Sequence, residues 1–335
     1  MRIIDTHFHW QPPAISEGLT KRTEFPKVEA DGQGGYKFFR KPGVKSAHRS
    51  SAWYDIDRQF AYLDGLNRGK IDVISSMGPF SVFYSEMSVE EGREGALEWN
   101  DTMAGAQRKF ADRFWGTAAV PLVDTGVAID VLNDAILRLG LVGVNLPCSI
   151  GEDPLIDHPR LEPFYDRVEE LDVPLILHPT DSLYGEEFSK GYGGTLHATL
   201  GRVVEVSAAA TRLILSGIME RHPNIKILLT HTGGALPYQA GRYDKNGGPA
   251  KLPQPPSSYI KRFYTDLVAP HALGMEFALK FFGTDHVTYG TDYPCWMPHE
   301  ALELFDQLDV TQEDREKIFS GNALKLFKLR TPVAV

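Results

Sequence analysis

Two histidines stand at the end of the first apolar run of the chain. His7 and His9 occur in the segment DTHFH at residues 5–9, directly after the run Ile3-Ile4. Because alternate residues of a strand point to the same face, the two imidazoles can bind one metal ion through nitrogens at about 2 Å. Paired histidines also serve other roles. The neighbouring segments therefore decide whether this pair is a metal site.

The same placing recurs at His178, His231 and Asp292. Each of these residues follows an apolar run, which reads LIL before His178, ILLT before His231 and TYG shortly before Asp292. A lone histidine after a buried strand is more often a structural hydrogen-bonding group. Five polar side chains at the carboxyl ends of parallel strands, however, meet on one rim of a barrel. The sequence therefore predicts a metal-dependent active site at that rim.

The elements that position these residues follow a repeated pattern of short apolar runs and longer amphipathic segments. This alternation is typical of βα units on a parallel sheet. The predicted strands are residues 2–6, 71–77, 115–120, 142–146, 174–178, 225–230, 263–267 and 287–290. Helical periodicity covers residues 56–66, 92–110, 126–139, 161–171 and 200–220. Eight strands predict an α/β fold that closes as a (β/α)8 TIM barrel, with a doubly wound open sheet as the alternative.

The segment at about residues 11–54 interrupts the alternation and is rich in Gly, Pro, Lys and Arg. Since it follows the first strand, we expect it to project over the active-site end of the barrel as a small insertion or lid. A disordered surface loop is the alternative. Residues 311–329 predict a C-terminal helix packed outside the barrel. The whole chain, 1–335, is interpreted as one domain.

Composition limits the function classes. The chain has 335 residues and a net charge of −9, which argues against a nucleic-acid-binding or anionic-membrane-binding protein. Hydrophobic residues make up 42%, as in globular domains. Two separated cysteines, Cys148 and Cys295, do not make a disulfide framework. With no apolar run long enough to span a membrane, we expect a cytoplasmic enzyme.

Taken together, these motifs resemble the amidohydrolase superfamily. Within it they are similar to the branch of aminocarboxymuconate-semialdehyde decarboxylase and related nonoxidative decarboxylases. The motifs that carry the resemblance are HFH at 7–9, HP at 178–179, HTGGA at 231–235, GR at 241–242, FYTD at 263–266, GTDYP at 290–294 and GNA at 321–323.

The resemblance implies a distorted (β/α)8 barrel with one metal ion per subunit, usually Zn²⁺. His7, His9, His178 and Asp292 would bind the ion together with a water molecule, and His231 would be the acid/base. Asp292 is counted as catalytic as well. The segment 142–146 has no lysine that carboxylation could turn into a bridging ligand, which favours one ion over two. Mixed imidazole and carboxylate ligands leave Mn²⁺ and Fe²⁺ open.

The resemblance also implies residues that bind substrate. Arg242 matches a family arginine that reaches into the partner's site to hold a substrate carboxylate, which implies a homodimer. A second family arginine lies in the insertion, and Arg40 is the preferred match, with Arg49 close behind. Asp181 also matches the family, but Thr180 stands where the muconate-semialdehyde enzyme has Trp.

We therefore expect a metal-dependent nonoxidative decarboxylase, a carbon–carbon lyase, that acts through a metal-bound water and a histidine acid/base. Its substrate would be a small carboxylated aromatic or muconate-semialdehyde-type catabolite. A hydrolase or hydratase of a lactone, amide or C–C bond could use the same site. A noncatalytic metal-binding protein is the third alternative.

Overall fold

A parallel sheet of seven strands forms most of the barrel wall in the computed structural model, which describes residues 1–42, 47–150, 155–180, 190–192 and 194–329. The described strands are β1 Arg2–Phe8, β2 Lys27–Ala30, β3 Tyr36–Phe39, β4 Ala47–Arg49, β5 Lys70–Ser75, β6 Phe114–Ala118, β7 Gly143–Pro147, β8 Leu175–His178, β9 Ile227–Leu229 and β10 Tyr264–Thr265. The parallel sheet has the order β1-β5-β6-β7-β8-β9-β10. Because this order follows the chain without a reversal, the doubly wound alternative is excluded and the predicted distorted barrel is confirmed.

Helices alternate with these strands. The α-helices of the described residues are Pro13–Leu19, Ile56–Gly65, Val89–Lys109, Thr125–Asn133, Glu162–Leu171, Gly194–Leu196, Arg202–Leu215, Ile218–Arg221, Ala240–Asn246, Pro256–Ile260, Ala272–Phe282, Pro298–Phe305, Gln312–Glu316 and Asn322–Leu326. The longest of them, Val89–Lys109, begins with an N-cap in which the Ser88 hydroxyl oxygen accepts from the main-chain N–H of Glu91. Acidic residues in its first turn and basic residues in its last turn complement the helix dipole.

The barrel closes through an irregular segment. Residues 287–293 were predicted to begin with an eighth strand, but in the structure they bridge β10 at Val287 and β1 at Tyr293, one residue pair each. Hydrogen bonds complete the closure. The N–H of Thr6 donates to the carbonyl of Tyr289 at 2.9 Å, and the N–H of Thr288 donates to that of Thr265 at 2.8 Å. The eighth position is therefore closed without a regular ladder.

The C-terminal helical segment covers one end of the barrel. Its buried residues Ala323, Leu326 and Phe327 form one apolar cluster with side chains of the parallel strands, among them Ile4 and Ile176. These strand residues come before the histidines at the other end of β1 and β8. The segment therefore closes the end opposite to the predicted site instead of packing on the outside of the helices.

The described part of the insertion is folded. A helix, Pro13–Leu19, precedes an antiparallel sheet in the order β2-β3-β4. In this sheet Tyr36 pairs with Arg49. Phe38 packs against Phe80 and Phe83 with ring centroids 4.9 and 6.0 Å apart. The insertion is therefore an ordered layer on the barrel rather than the disordered loop of the alternative. That it acts as a lid stays a prediction.

None of the helices in the described part of the chain combines the length and apolar character needed to cross a bilayer.

The buried carboxylate of Asp5 ties β1 to the closing segment. It accepts from the N–H of His7 at 3.0 Å, from the N–H of Thr291 at 3.1 Å and from the hydroxyl of Thr291 at 2.5 Å. Thr291→Val keeps the shape but removes a donor to a buried carboxylate, so we expect a loss of about 1–3 kcal/mol in the free energy of unfolding. Urea denaturation measures this loss.

Thr102→Val is the matched control, because the Thr102 hydroxyl donates to the carbonyl of Glu98 within one helix turn. We expect it to change stability by less than about 0.5 kcal/mol. Equal stability of the two variants would contradict a role for Thr291 in barrel closure.

Candidate active site

The structure brings the five predicted polar residues together at the carboxyl end of the strands. His7 lies in β1, His9 follows β1, His178 ends β8, His231 comes two residues after β9, and Asp292 lies in the closing segment. All five side chains are buried. One potential ligand atom from each of His7, His9, His178 and Asp292 lies within 4.8 Å of the other three.

The three ligand histidines are oriented in the same way. In each, Nδ1 lies at hydrogen-bond distance from an oxygen that can only accept. This oxygen belongs to a carboxylate in one case and to a main-chain carbonyl in the other two. The partners are Asp266 Oδ2 for His7 at 2.6 Å, the Ser76 carbonyl for His9 at 3.1 Å and the Pro179 carbonyl for His178 at 2.8 Å. Nδ1 therefore carries the proton, and the Nε2 lone pair points inward. This is the usual arrangement of metal-binding histidines.

The inward-facing atoms fit a cation. The buried Nε2 atoms of His7 and His178 have no hydrogen-bond partner. His9 Nε2 lies 2.9 Å from Asp292 Oδ1, and His7 Nε2 lies 3.5 Å from the same oxygen. Lone pairs directed at a carboxylate repel it unless a proton or a metal ion lies between them. The four side chains thus form a divalent metal site of three imidazoles and one carboxylate.

Burial and charge determine which groups are ionised here. Burial lowers the pKa of His9 despite its contact with Asp292. Burial would raise the pKa of Asp292, but His7 and His9 hold it well below its ordinary value. The carboxylate therefore stays ionised as a ligand, and burial disfavours a second proton on His9. A divalent ion held by these four side chains would supply positive charge beside the carboxylate.

His231 stands beside this set without belonging to it. Its ring centroid is 5.1 Å from that of His7 and 5.8 Å from that of His178. Its buried Nε2 has no hydrogen-bond partner. Burial, reinforced by His7, lowers the pKa of His231 to about 4, so the ring is neutral near pH 7. A neutral imidazole with an available nitrogen can accept a proton and pass it on.

The amidohydrolase family model matches residues 4–329, nearly the whole chain. The chain belongs to this family. The resemblance to the amidohydrolases that the sequence motifs indicated is therefore confirmed.

Curated relatives narrow the reaction. This amidohydrolase is 32% identical over 252 residues to the gamma-resorcylate decarboxylase of Rhizobium sp. strain MTP-10005, covering 70% of this chain and 76% of the relative. It is 28% identical to the 2-amino-3-carboxymuconate-6-semialdehyde decarboxylase of Dictyostelium discoideum, over 79% of this chain and 75% of the relative. A hydratase, the 2-keto-4-carboxy-3-hexenedioate hydratase of Sphingobium sp. strain SYK-6, is 24% identical over 98% of this chain and 96% of the relative.

A solved structure agrees with these relatives. The dihydroxybenzoic acid decarboxylase of Polaromonas sp. JS666, which was solved with bound manganese and the inhibitor 2-nitroresorcinol, superposes with a TM-score of 0.78. The two chains are 25% identical, and the alignment covers 97% of this amidohydrolase and 96% of the decarboxylase. The predictions that this chain is an enzyme and that this enzyme is a metal-dependent carboxy-lyase are therefore confirmed.

The second carboxylate partner of the site is Asp266. Its Oδ1 accepts from the N–H of Thr232 at 3.2 Å and from that of Val268 at 3.0 Å, while its Oδ2 holds His7. One carboxylate therefore fixes both a metal-binding ring and the turn that carries His231. The Thr230 hydroxyl donates to the carbonyl of Leu177 at 2.9 Å and so links the ends of β9 and β8.

Sequence reasoning missed Trp53. Its indole stacks on the His9 ring with centroids 5.1 Å apart and planes 11° from parallel. The Arg49 guanidinium lies 4.4 Å from the centroid of the same indole. Arg49 is the buried last residue of β4. The only signal in the sequence was proximity, since Arg49 and Trp53 are four residues apart at the end of the insertion.

The other predicted substrate-binding residues lie in different surroundings. Arg40 donates to the carboxylate of Glu86 and, at 3.0 Å, to the carbonyl of Thr180. Arg242 is exposed on the helix Ala240–Asn246. Asp181 lies outside the described residues. The roles of all three stay predictions.

A glycine allows the main chain after β5 to pass close to the ring of His9. Gly78 has a φ of +62°, and a Cβ built on it would lie 2.8 Å from Cε1 of the His9 ring. Gly78→Ala should therefore push His9 away from the other ligands and weaken metal binding by about tenfold or more. Titration of the metal-free protein with Mn²⁺, followed by electron paramagnetic resonance, measures the affinity.

Gly140→Ala is the control for backbone strain, because Gly140 has a φ of +71° and open space around its would-be Cβ. It should lose some stability but keep the metal affinity. Wild-type affinity in Gly78→Ala would show that His9 tolerates displacement.

Proposed function

We propose that this amidohydrolase removes CO2 from a small ortho-hydroxylated aromatic carboxylate of the dihydroxybenzoate class. His7, His9, His178 and Asp292 would hold one divalent ion, and His231 would transfer the proton. The observation that carries the proposal is the convergence of three unpartnered Nε2 atoms, those of His7, His178 and His231, beside one ionised carboxylate. The decarboxylases of resorcylate and dihydroxybenzoate named above support the substrate class.

A bound divalent ion would supply positive charge that orients the substrate's oxygens and stabilises negative charge developing on them. Imidazole and carboxylate ligands suit Zn²⁺, which is the ion we propose, and they also suit Mn²⁺. Because the Polaromonas decarboxylase was solved with bound manganese, Mn²⁺ is the first alternative to Zn²⁺. The fixed Nδ1 partners leave only the Nε2 atoms of the three ligand rings available to the ion.

The proton balance of the reaction assigns a task to His231. When the bond between the ring carbon and the carboxylate breaks, CO2 leaves and the ring carbon gains one proton. The neutral His231 accepts a proton at Nε2 from the substrate's hydroxyl or from solvent and donates it to that carbon. Because burial and His7 disfavour the charged ring, protonated His231 gives up its proton readily. Asp292 contributes its negative charge beside the reacting group.

Arg49 is the better candidate for the substrate carboxylate within the insertion. Its guanidinium is buried against Trp53, which stacks on the ligand His9. Its charge, together with that of Arg202, also acts on Cys295, three residues beyond Asp292. Arg40 donates to the carboxylate of Glu86, and no contact of its guanidinium with a ring stacked on a ligand histidine is seen in the described residues. A guanidinium so close to the metal ligands suits bidentate binding of a carboxylate.

We also propose a homodimer in which Arg242 reaches the partner's site. Arg242 is exposed on its helix and lies near no metal ligand of its own chain in the contacts described. The neighbouring surface carries large exposed apolar side chains, with Tyr238 75% and Leu273 66% exposed, and Tyr238 packs on Phe277 at 5.1 Å. Such a patch is typical of protein–protein contacts.

A hydratase is the second candidate function. The Sphingobium hydratase aligns over almost the full length of this chain and supports this reading. In that reaction the proton moved by His231 would come from the water that adds to a double bond. Mass spectrometry of the products separates the two, since decarboxylation removes CO2 and hydration adds water.

His231→Gln should abolish the release of CO2 from gamma-resorcylate while the ion held by His7, His9, His178 and Asp292 is retained. Loss of the proton-transfer group costs about 10²–10⁴-fold in rate. Product formation is followed by mass spectrometry, and metal by plasma emission. His178→Gln serves as the contrasting variant, because it should lose the active-site ion as well as the activity.

Turnover at the wild-type rate in His231→Gln would remove this residue from the mechanism. A metal-loaded wild-type enzyme that converts no dihydroxybenzoate but hydrates an unsaturated carboxylate would replace the lyase proposal by the hydratase.

The two insertion arginines can be separated by Arg49→Lys and Arg40→Lys. Loss of a bidentate contact to the substrate carboxylate should raise KM for gamma-resorcylate about 10-fold or more in Arg49→Lys. Arg40→Lys should leave KM close to the wild-type value. Steady-state kinetics with metal content measured in each variant checks this. The reverse ranking would assign the substrate carboxylate to Arg40.

A further inference from the structure

A second histidine site lies at the opposite end of the barrel. His222 follows the helix Ile218–Arg221 and precedes β9, and its side chain is only 2% exposed. Its Nε2 lies 3.0 Å from Glu162 Oε1, to which it donates. Its buried Nδ1 has no hydrogen-bond partner.

Two further carboxylates face that nitrogen. Glu169 Oε2 lies 3.5 Å and Asp166 Oδ1 lies 3.7 Å from Nδ1 of His222. Both residues project from one face of the helix Glu162–Leu171, three positions apart. These distances are long for hydrogen bonds, but two ligands of a tetrahedral ion with bonds of about 2.1 Å lie about 3.4 Å apart.

The carboxylates around the His222 ring favour a cation beside Nδ1. Arg221, with His222, holds the pKa of Glu162 below its ordinary value, so this carboxylate is an ionised acceptor for Nε2–H. The other ring nitrogen, Nδ1, faces the carboxylates of Asp166 and Glu169. Within the described residues, the only basic side chain within ion-pair distance of either Asp166 or Glu169 is His222.

We propose that His222 Nδ1, Glu169 and Asp166 bind a second divalent transition-metal ion, of the Zn²⁺ type, outside the active site. The arrangement repeats that of His7, because one ring nitrogen donates to a carboxylate and the other is left unpartnered toward further carboxylates. The ion joins the helix Glu162–Leu171 to the turn before β9 and stabilises this end of the barrel.

The site closes by a small rearrangement. The active-site set is the only one among the described residues in which the ligand atoms already lie within 4.8 Å of one another. At His222 the side chain of Asp166 is 63% exposed, so it can rotate toward Nδ1. Glu169 also lines a surface cavity of about 590 Å³, together with Asn224 and Arg262 among others, so this carboxylate borders solvent.

Titration with Zn²⁺ against a chromophoric chelator tests the proposal on the full-length protein. The wild-type chain should bind two ions, and Asp166→Asn and Glu169→Gln should each weaken one of them about tenfold or more without changing the other. Glu170→Gln is the matched control, since Glu170 is 63% exposed on the same helix and pairs with Arg167. It should retain both ions. Zn²⁺ should also raise the Tm of the wild type more than that of Asp166→Asn.

Spectroscopy identifies the ligand. With the active site filled by Zn²⁺, added Cu²⁺ should show nitrogen hyperfine coupling from one imidazole, and His222→Gln should lose it. One Zn²⁺ per wild-type chain at saturation would overturn the proposal. So would two ions of unchanged affinity in both carboxylate variants, which decide the question even if His222→Gln does not fold. None of these readouts depends on turnover, so their failure is distinct from a failure of the proposed decarboxylation.

Discussion

The active site depends on one electrostatic conflict that the fold builds and a cation resolves. His7, His9 and His178 each have an acceptor at Nδ1, so their Nε2 lone pairs are directed inward. Asp292 places a negative oxygen among them, in a site that burial keeps from water. Unpaired polar atoms in such surroundings are costly. The remainder of the barrel, with its extensive apolar core, must hold them together until an ion is bound.

Two of the site residues also have unusual backbone conformations. His231 and Asp292 have φ values of +55° and +60°, in the left-handed region that side chains rarely occupy. Both stand where a strand would have continued, and both leave the extended path just as they enter the site. At the closing segment the regular ladder is absent, and Asp5 and Thr291 take over the pairing. Irregular closure thus lets Asp292 turn toward the histidines while the barrel remains complete.

Much of this arrangement was predictable because it obeys strand periodicity. His7 and His9 are two positions apart at the end of the first apolar run, and His178, His231 and Asp292 follow apolar runs of strand length. The insertion was less predictable. Its choice between Arg40 and Arg49 depends on the register of three short strands and on Glu86, which lies beyond the next parallel strand and binds Arg40. Trp53 was missed because stacking on His9 has no periodic signal. The C-terminal segment was predicted to pack outside the barrel, whereas it covers one end of it. Its amphipathic pattern indicates that it packs on the barrel but not on which part.

The proposed function divides the residues that would carry the chemistry from those that would select the substrate. The ligand histidines and Asp266 come from the parallel strands or the loops that follow them, so they share the rigidity of the barrel. The insertion supplies Arg49, which can change with little effect on those strands. Trp53 joins the two parts, because its indole contacts both the guanidinium of Arg49 and the ring of His9. On that proposal, a change of carboxylate substrate would require changes in the insertion, but the residue at this junction would still have to pack on the imidazole of His9. That requirement constrains the insertion more tightly at Trp53 than at either arginine.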